Sequence, residues 1–344
     1  METIVSRLPF EQHNYRFKKL IGLGTFSFVI EVESIQYMTV FAAKFSICDD
    51  SVLNSEGDLV DAELAALVSL DHPNIIKVYN YFFMENFLVL VLDYCPGGTL
   101  LDLVTRKETE RLPLPDCFVQ VVRALEYCHS LSISHRDIKP SNIFIDPYGR
   151  VQLADFGLCV IHKYHEGQLL PCGSIFFAAP EMFSNSTYDP FKADVYSLGV
   201  TFYQVASGVP HCNEQLFKPL TDSSILFPNN IPPRLQSLIL RMTDRDPQKR
   251  PSMSEILYDP FFQKHKIRPP FFSIRKASSS RSHTMLSALA EGIDENDQPR
   301  KLMSHCFKPL LKPSLSTNSK RVAVKSMVFK CATFYTDAQI EKVI

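Results

Sequence analysis

The spacing of apolar residues changes near residue 100, and this change limits the folds that the chain can adopt. Residues 15–34 are typical of two apolar strands joined by a glycine turn, and residues 38–47 of a third strand. A helical pattern over 59–70 precedes two more strand-like runs, 74–83 and 87–94. After the Pro/Gly break at 95–98 the spacing is mostly helical. The pattern predicts an α+β fold in which a small, strand-rich part with one helix precedes a larger helical part.

Length and composition set the domain organisation. The chain of 344 residues has room for one large domain with an extension. We expect an N-terminal extension at 1–14 and a folded domain at 15–263, with an N-lobe at 15–93, a hinge at 93–98 and a C-lobe at 99–263. Residues 264–318 are rich in Ser and Pro and show little sustained periodicity, which favours a linker or a disordered segment. The alternation in 319–335 slightly favours a strand, with an amphipathic partner-binding element or disorder as the alternatives. We therefore expect 264–344 to form a basic tail that is largely disordered or regulatory.

The net charge of −1 conceals an asymmetry along the chain. Residues 1–263 carry 21 Lys and Arg against 31 Asp and Glu, whereas residues 264–344 carry 15 against 6. A basic tail beside an acidic domain suggests intramolecular docking of the tail on that domain, or an acidic partner. A tail that is simply solvated is the alternative. No nucleic-acid partner is expected.

The cysteines and the apolar runs indicate the compartment. The nine cysteines include no CxxC pair and follow no signal peptide, which fits free thiols in a reducing environment. The longest apolar run, FLVLVL at 87–92, is too short to cross a bilayer. We therefore expect no transmembrane segment and an intracellular, cytoplasmic protein.

A glycine-rich turn and a lysine occur among the first strands. GLGTFSFV (22–29) lies between two strands, so it forms a hairpin, whereas the glycine turn of a dinucleotide-binding fold opens a helix. Taken alone, the stretch is most simply a tight hairpin. Lys44 ends an apolar strand and needs a partner if it is buried. Glu63 in the predicted helix is the candidate, and two unrelated surface charges are the alternative.

The stretch HRDIKPSN (135–142) combines residues suited to phosphoryl transfer. It is either a polar turn that carries charges, or a catalytic loop in which Asp137 handles a proton, Lys139 faces a phosphate and Asn142 holds a metal. Further motifs follow it in order: LADFGL (153–158), CGSIFFAAPE (172–181), DVYSLGV (194–200) and DPQKRPS (246–252). With these motifs in this order, the chain resembles the eukaryotic protein kinase family over about residues 15–263.

The resemblance implies the fold, the activity and the ligands. The implied fold is the bilobal protein kinase fold, with a β-rich N-lobe that contains one key helix and an α-helical C-lobe. The implied activity is transfer of the ATP γ-phosphoryl group to Ser or Thr hydroxyls of protein substrates, with ATP as cosubstrate and Mg²⁺ as cofactor.

The resemblance also assigns roles to residues. Asp137 would accept the substrate proton, Lys139 would neutralise charge on the phosphoryl group, and Lys44 would contact ATP phosphates while paired to Glu63. Asn142 and Asp155 would hold Mg²⁺. The implied ATP-binding positions are Ile21, Gly22, Leu23, Gly24, Thr25, Phe26, Ser27, Val29, Ala42, Lys44, Asp93, Cys95 and Phe144.

Other matches imply structural roles. Glu181 and Arg250 resemble a buried ion pair of the family, Asp194 would accept backbone hydrogen bonds from the catalytic loop, and Ser174 would bond Asp137 and Lys139. Lys139, two residues after Asp137, is typical of serine/threonine kinases. The motifs are most similar to the calmodulin-dependent and AMP-activated-related group.

Two departures and one alternative remain. Leu170 stands where that group has a phosphorylatable Thr, so we expect activity that does not depend on phosphorylation there. Ser141 replaces an acidic residue, so no basic substrate consensus is predicted. A pseudokinase-type nucleotide-binding scaffold is the alternative to an active enzyme, although such proteins usually lose the Lys or Asp residues that are present here.

Overall fold

The computed structural model describes residues 8–24, 27–47, 62–84, 87–109, 113–162, 169, 172–183, 187–210 and 227–263. Thr25, Phe26, Leu170 and the tail 264–344 lie outside the described residues, so the predictions that concern them stay predictions. The described residues fall into two compact units: 8–47 with 79–92, and 62–78 with 93–263. The lobe boundaries proposed from the sequence likewise stay predictions.

The first unit contains a five-stranded β-sheet. Its strands are β1 (Tyr15–Leu23), β2 (Ser27–Ser34), β3 (Val40–Ile47), β4 (Val78–Met84) and β5 (Phe87–Asp93), in the sheet order β1-β2-β3-β5-β4. The strands β1 and β2, and β2 and β3, pair antiparallel. A short 3-10 helix, Phe10–His13, precedes β1. The strands predicted from the periodicity at 15–34, 38–47, 74–83 and 87–94 are confirmed.

An aromatic core fills one face of this sheet. Phe45 is fully buried, stacks on Phe28 with ring centroids 4.6 Å apart and meets Phe10 edge-on at 5.8 Å. Leu8 is buried in the same cluster, and His13 stacks on Phe82 at 3.9 Å. Residues 8–13, which the sequence assigned to an extension ahead of the domain, therefore contribute to the core of the first unit.

The second unit is mainly helical. Its helices are α1 (Ala62–Ser69), α2 (Leu100–Thr105), α3 (Leu114–Ser130), α4 (Pro190–Ser207), α5 (Pro233–Met242), α6 (Met253–Leu257) and α7 (Pro260–Gln263). Two small antiparallel ribbons accompany them, β6 (Ile133–Ser134) with β9 (Val160–Ile161) and β7 (Ile143–Ile145) with β8 (Val151–Leu153). Short 3-10 helices span Pro140–Asn142, Pro180–Phe183 and Pro247–Lys249. The helix predicted within 59–70 is confirmed as α1.

The central helix α4 begins and ends at residues suited to those positions. The Asp189 side chain caps its N-terminus by accepting the backbone N–H groups of Phe191 and Lys192, and Pro190 occupies the first helical position. The helix ends at Gly208, whose φ of 71° is the left-handed conformation that glycine adopts without strain. Its middle is buried throughout, and Phe202 stacks on Phe118 of α3 at 3.9 Å. Because the helix is buried, its side chains that contact neighbouring loops are held in fixed positions.

Within the described residues, no helix combines the length and apolar character that spanning a membrane requires.

Candidate active site

The side chain of Asp194 in α4 binds the backbone of the loop 135–142. Its buried carboxylate accepts the backbone N–H groups of His135 at 2.9 Å and Arg136 at 2.8 Å, which confirms the predicted contact. His129 of α3 adds a third bond, Nε2 to Oδ2 at 2.9 Å. Burial alone would raise the pKa of Asp194, but its hydrogen bonds and electrostatic interactions with His129 and His135 bring that pKa below its ordinary value. Asp194 is therefore a carboxylate that fixes the backbone of the loop.

The Asp137 carboxylate is held on both oxygens. Its Oδ2 accepts Lys139 Nζ at 2.6 Å and Asn142 Nδ2 at 3.0 Å, while Oδ1 accepts the backbone N–H of Ser174 at 3.0 Å. Lys139 also donates to Ser174 Oγ at 2.8 Å, so the predicted contacts of Ser174 with both residues are confirmed. The side chain of Asp137 is only 7% exposed. These bonds hold the Asp137 carboxylate in one orientation.

Gly173 permits the close approach that makes this arrangement possible. Its φ is 80°, and a Cβ at this position would lie 2.5 Å from the backbone oxygen of Arg136 and 3.2 Å from Asp137 Oδ1. No other residue type fits there without moving the catalytic loop. The glycine therefore brings the segment 172–181 against Asp137.

Asn142 and Asp155 have the chemistry that Mg²⁺ prefers. The Asn142 Nδ2 donates to the backbone oxygen of Asp137 at 2.8 Å and to its Oδ2, so the amide oxygen Oδ1 takes no part in these two bonds. Asp155 is exposed, with a φ of 63°. A hard amide oxygen and a carboxylate fit Mg²⁺, which usually keeps water and phosphate ligands as well. In the described part of the chain, no group of three or more His, Cys, Asp or Glu side chains could hold a metal unaided.

The segment around Asp155 is tied to the catalytic loop. The backbone N–H of Ala154 donates to the backbone oxygen of Asn142 at 2.9 Å, and His135 Nε2 lies 3.0 Å from the oxygen of Ala154. The buried ring of Phe156 meets the His135 ring at 4.7 Å. These contacts fix the two residues that flank Asp155, Ala154 and Phe156, against Asn142 and His135.

In the first unit, strand register places the predicted nucleotide residues on one face. Gly22 pairs with Val29, Val29 with Lys44, and Glu31 with Ala42. Cross-strand partners share a face, so Val29, Ala42 and Lys44 lie opposite the aromatic core. Ile21 and Leu23 are 40% and 64% exposed and so contribute little to that core.

The glycine turn closes tightly. The backbone N–H of Gly24 donates to Ser27 at 2.7 Å, and a Cβ on Gly24 would lie 3.0 Å from Ser27 Oγ. The absence of a Cβ at Gly24 therefore permits the close approach to Ser27. Its tip residues Thr25 and Phe26 lie outside the described residues.

The predicted hinge residues belong to the second unit. Asp93 Oδ2 accepts the backbone N–H of Lys77 at 3.2 Å, and the Cys95 thiol donates to Gln152 at 3.2 Å. Burial, assisted by Asp93 and Asp146, raises the pKa of Cys95 to about 12, so this side chain is a neutral thiol. Phe144 lies half-buried on β7.

The predicted partnership of Lys44 and Glu63 stays a prediction. Lys44 lies on β3 of the first unit, and Glu63 lies buried in the first turn of α1, in the second unit. A buried carboxylate in that place requires a charge or hydrogen-bond partner.

The ion pair predicted between Glu181 and Arg250 is confirmed. Arg250 Nη1 and Nη2 donate to the two carboxylate oxygens at 2.6 and 2.8 Å. Its remaining donors reach the backbone oxygens of Asp244 at 2.7 Å and Lys192 at 2.9 Å. The Arg250 side chain is fully buried, so the pair anchors the end of the segment 172–181 to the helical unit.

Sequence reasoning missed two supporting residues. His129 bonds Asp194, and Tyr188, just before α4, accepts Arg136 Nη2 at 3.1 Å. Burial raises the pKa of Tyr188, against an opposing effect of Arg136, so its hydroxyl is neutral. No local pattern signals either contact, because the partners are 65 and 52 residues apart.

Comparison with known proteins agrees with this geometry. The profile of the protein kinase domain matches residues 15–262. The chain belongs to the protein kinase family. The bilobal kinase fold implied by the motifs is thereby confirmed.

Curated relatives refine this assignment. The chain is 29% identical to CBL-interacting serine/threonine-protein kinase 20 of Arabidopsis thaliana, over 80% of this chain and 64% of that protein. It is 32% identical to the carbon catabolite-derepressing protein kinase of Secale cereale, over 82% of this chain and 59% of that protein. These relatives match the calmodulin-dependent and AMP-activated-related group, which confirms the group favoured by the motifs. The chain spans about three fifths of the length of these relatives.

Proposed function

We propose that this kinase-family chain is an active serine/threonine protein kinase, which transfers the γ-phosphoryl group of ATP to Ser or Thr hydroxyls of protein substrates. The observation that carries the proposal is the bonding of Asp137 to Lys139, Asn142 and Ser174. These bonds support the proposal because they bring a carboxylate, a cation and an amide side chain together within one loop. A polar turn without function would not need three donors on one buried carboxylate.

Asp137 and Lys139 have separate tasks in this mechanism. Asp137 orients the acceptor hydroxyl and takes its proton as the bond to phosphorus forms, and the leaving oxygen remains on the nucleotide diphosphate. Lys139 places a positive charge beside the site where negative charge is transferred. Because the phosphoryl transition state needs little covalent help, positioning and electrostatic stabilisation supply most of the rate.

The remaining site residues hold the cosubstrate and the metal. The glycine-rich turn 22–27 would cover the phosphates, Lys44 with Glu63 would contact them, and Val29, Ala42 and Phe144 would enclose the adenine. Asp93 and Cys95 would supply backbone contacts to its edge. Asn142 and Asp155 would hold Mg²⁺, which neutralises phosphate charge when bound.

We further propose that activity does not require phosphorylation at the usual activation-segment position. The sequence has Leu170 there, and Arg136, which would clamp such a phosphate, donates instead to the neutral hydroxyl of Tyr188. Replacing Leu170→Thr and adding an upstream kinase should leave kcat unchanged within about twofold. A gain of tenfold or more after phosphorylation of Thr at 170 would refute this part of the proposal.

A cytoplasmic location agrees with the thiols. The five cysteines in the described residues, Cys95, Cys117, Cys128, Cys159 and Cys172, are all free. Free thiols are typical of reducing compartments.

The activity is tested by transfer from labelled ATP–Mg²⁺ to a degenerate library of Ser, Thr and Tyr peptides. We expect labelling of Ser and Thr peptides and little of Tyr peptides. Binding of ATP–Mg²⁺ without any transfer would favour the scaffold alternative instead.

A further inference from the structure

A cavity in the second unit lies apart from the residues assigned to phosphoryl transfer. It has a volume of about 620 Å³ and lies among α3, α4, α6 and the loop that contains His72. Apolar side chains form part of its wall: Phe191 and Val195 of α4, with Met253 and Leu257 of α6. This volume and this mixture of apolar and polar lining are typical of sites for small organic ligands.

The charged groups that face the cavity favour an anion. Arg123 and Lys192 are the basic residues of the lining, and Glu126 is the one carboxylate among the lining residues that the structure describes. Glu126 accepts Ser254 Oγ at 2.7 Å, and Lys192 Nζ donates to the backbone oxygen of Arg250 at 2.5 Å. The cavity therefore has an excess of positive charge, and both Glu126 and Lys192 already have hydrogen-bond partners.

The other titratable groups in the described lining are His72, His129 and Tyr127. Burial lowers the pKa of His72, the positive charge of Arg123 lowers it further, and Asp71 opposes them. His72 is therefore neutral at neutral pH and can donate or accept a hydrogen bond. His129 lines the cavity from α3 while its Nε2 contacts Asp194.

Arg123 is the residue that most directly indicates a ligand. Its side chain is partly buried, yet among the described residues it forms no hydrogen bond and no ion pair. By contrast, Arg150 and Arg250 each bond a carboxylate. A guanidinium has five N–H donors in a planar fork that matches carboxylate and phosphate oxygens. A partly buried guanidinium that has no acceptor in the described part of the chain is suited to an anion from solution.

Aromatic rings next to Arg123 provide surfaces for a planar group. His72 and Tyr127 stack with ring centroids 5.4 Å apart, and Phe191 meets His129 edge-on at 4.9 Å. We propose that the cavity binds a small aromatic anion, a planar ring that carries one carboxylate or phosphate, with Arg123 as its charge partner and the rings and apolar side chains around its body.

The position of His129 connects this site to catalysis. A ligand in the cavity contacts the imidazole that supports Asp194, and Asp194 in turn holds the backbone of His135 and Arg136. Occupation of the cavity should therefore change kcat through the catalytic loop and leave KM for ATP unchanged. The cavity would be an effector site of the enzyme.

The binding test uses the full chain and phenyl phosphate, with phenol and inorganic phosphate as the ring-only and charge-only probes. A non-hydrolysable ATP analogue with Mg²⁺ is present at saturation to fill the nucleotide site. Isothermal titration should give one site with a Kd of about 1 mM, as expected for so small a ligand, and about tenfold weaker binding of either partial probe.

Variants locate the site. Arg123→Ala should weaken binding of phenyl phosphate about tenfold, Arg123→Lys should retain part of it, and Arg106→Ala, at an exposed arginine outside the cavity, should not change it. Equal affinity of wild type and Arg123→Ala, or no binding to wild type, would overturn the proposal. Binding is measured without phosphoryl transfer, so this result is independent of the proposed kinase activity.

A separate kinetic measurement tests whether a ligand in the cavity affects catalysis. Saturating phenyl phosphate should change kcat on a peptide substrate by twofold or more in wild type, with no change in Arg123→Ala. An unchanged kcat in wild type with the site occupied would contradict the role of His129 as the connection.

Discussion

Replacing Glu181→Gln should destabilise the helical unit strongly, because it leaves the Arg250 charge buried without a counter-charge. Arg250 has no exposed side-chain surface, and Glu181 keeps 15% exposure. Removing one partner of a buried ion pair costs about 3–5 kcal/mol. Arg250 retains the backbone oxygens of Asp244 and Lys192, and its guanidinium lies 4.9 Å from the Tyr196 ring. These remaining contacts place the expected loss at the lower end, about 3 kcal/mol.

The matched control is Glu33→Gln in the first unit. Its carboxylate has a similar exposure of 16%, but its partners Arg16 and Lys18 are 53% and 40% exposed. An exposed pair of this kind contributes less than about 1 kcal/mol. Urea unfolding followed by circular dichroism should show a midpoint about 1 M lower for Glu181→Gln and a small shift for Glu33→Gln. Equal shifts for the two variants would refute the role of Arg250 as a buried anchor.

Three further changes probe the supports of the catalytic loop. Gly173→Ala should abolish most peptide phosphorylation, because its Cβ would lie 2.5 Å from the backbone oxygen of Arg136. The control is Gly208→Ala, at a residue with a φ of 71° and no atom within 4 Å of the added Cβ. This control should cost only about 1 kcal/mol of stability and leave kcat intact. Tyr188→Phe removes the acceptor for Arg136 and should lower kcat about tenfold; an unchanged kcat would show that this hydrogen bond does not support activity. The pKa of Asp194 is lowered in the folded state from 3.8, so its stabilisation is complete above about pH 4 and is lost as the pH falls through the folded-state pKa. Asp194→Asn should therefore be less stable at pH 7 and show a flatter acid-unfolding curve below pH 4, and a curve parallel to that of wild type would contradict this.

The fold could be predicted well from the sequence because apolar periodicity reports which face of each element is buried. Alternation in 15–34 and helical spacing in 59–70 gave the correct elements, and the Pro/Gly break at 95–98 lies at the chain connection between β5 and α2. The catalytic loop could be located because its polar residues are adjacent in sequence. The ion pair of Glu181 with Arg250 became predictable only through the resemblance, since 69 residues separate them.

Other features depend on tertiary packing that no local pattern records. Phe10 is a single aromatic residue in a polar stretch, and its burial follows from the space beside Phe45. His129 continues the amphipathic pattern of α3 like any other polar position, and only the fold brings it to Asp194. Tyr188 precedes a helix cap and gives no sign of its contact with Arg136.

The central claim is that Asp137 is the proton acceptor in a working phosphotransfer site. Its most direct test is single-turnover transfer from ATP–Mg²⁺ to a Ser peptide by Asp137→Asn, with Asp189→Asn at the cap of α4 as the control and nucleotide affinity measured in parallel. The account predicts a rate lower by about 10²–10⁴-fold in Asp137→Asn, with unchanged nucleotide affinity and a near wild-type rate in the control. Transfer by Asp137→Asn at the wild-type rate would contradict it.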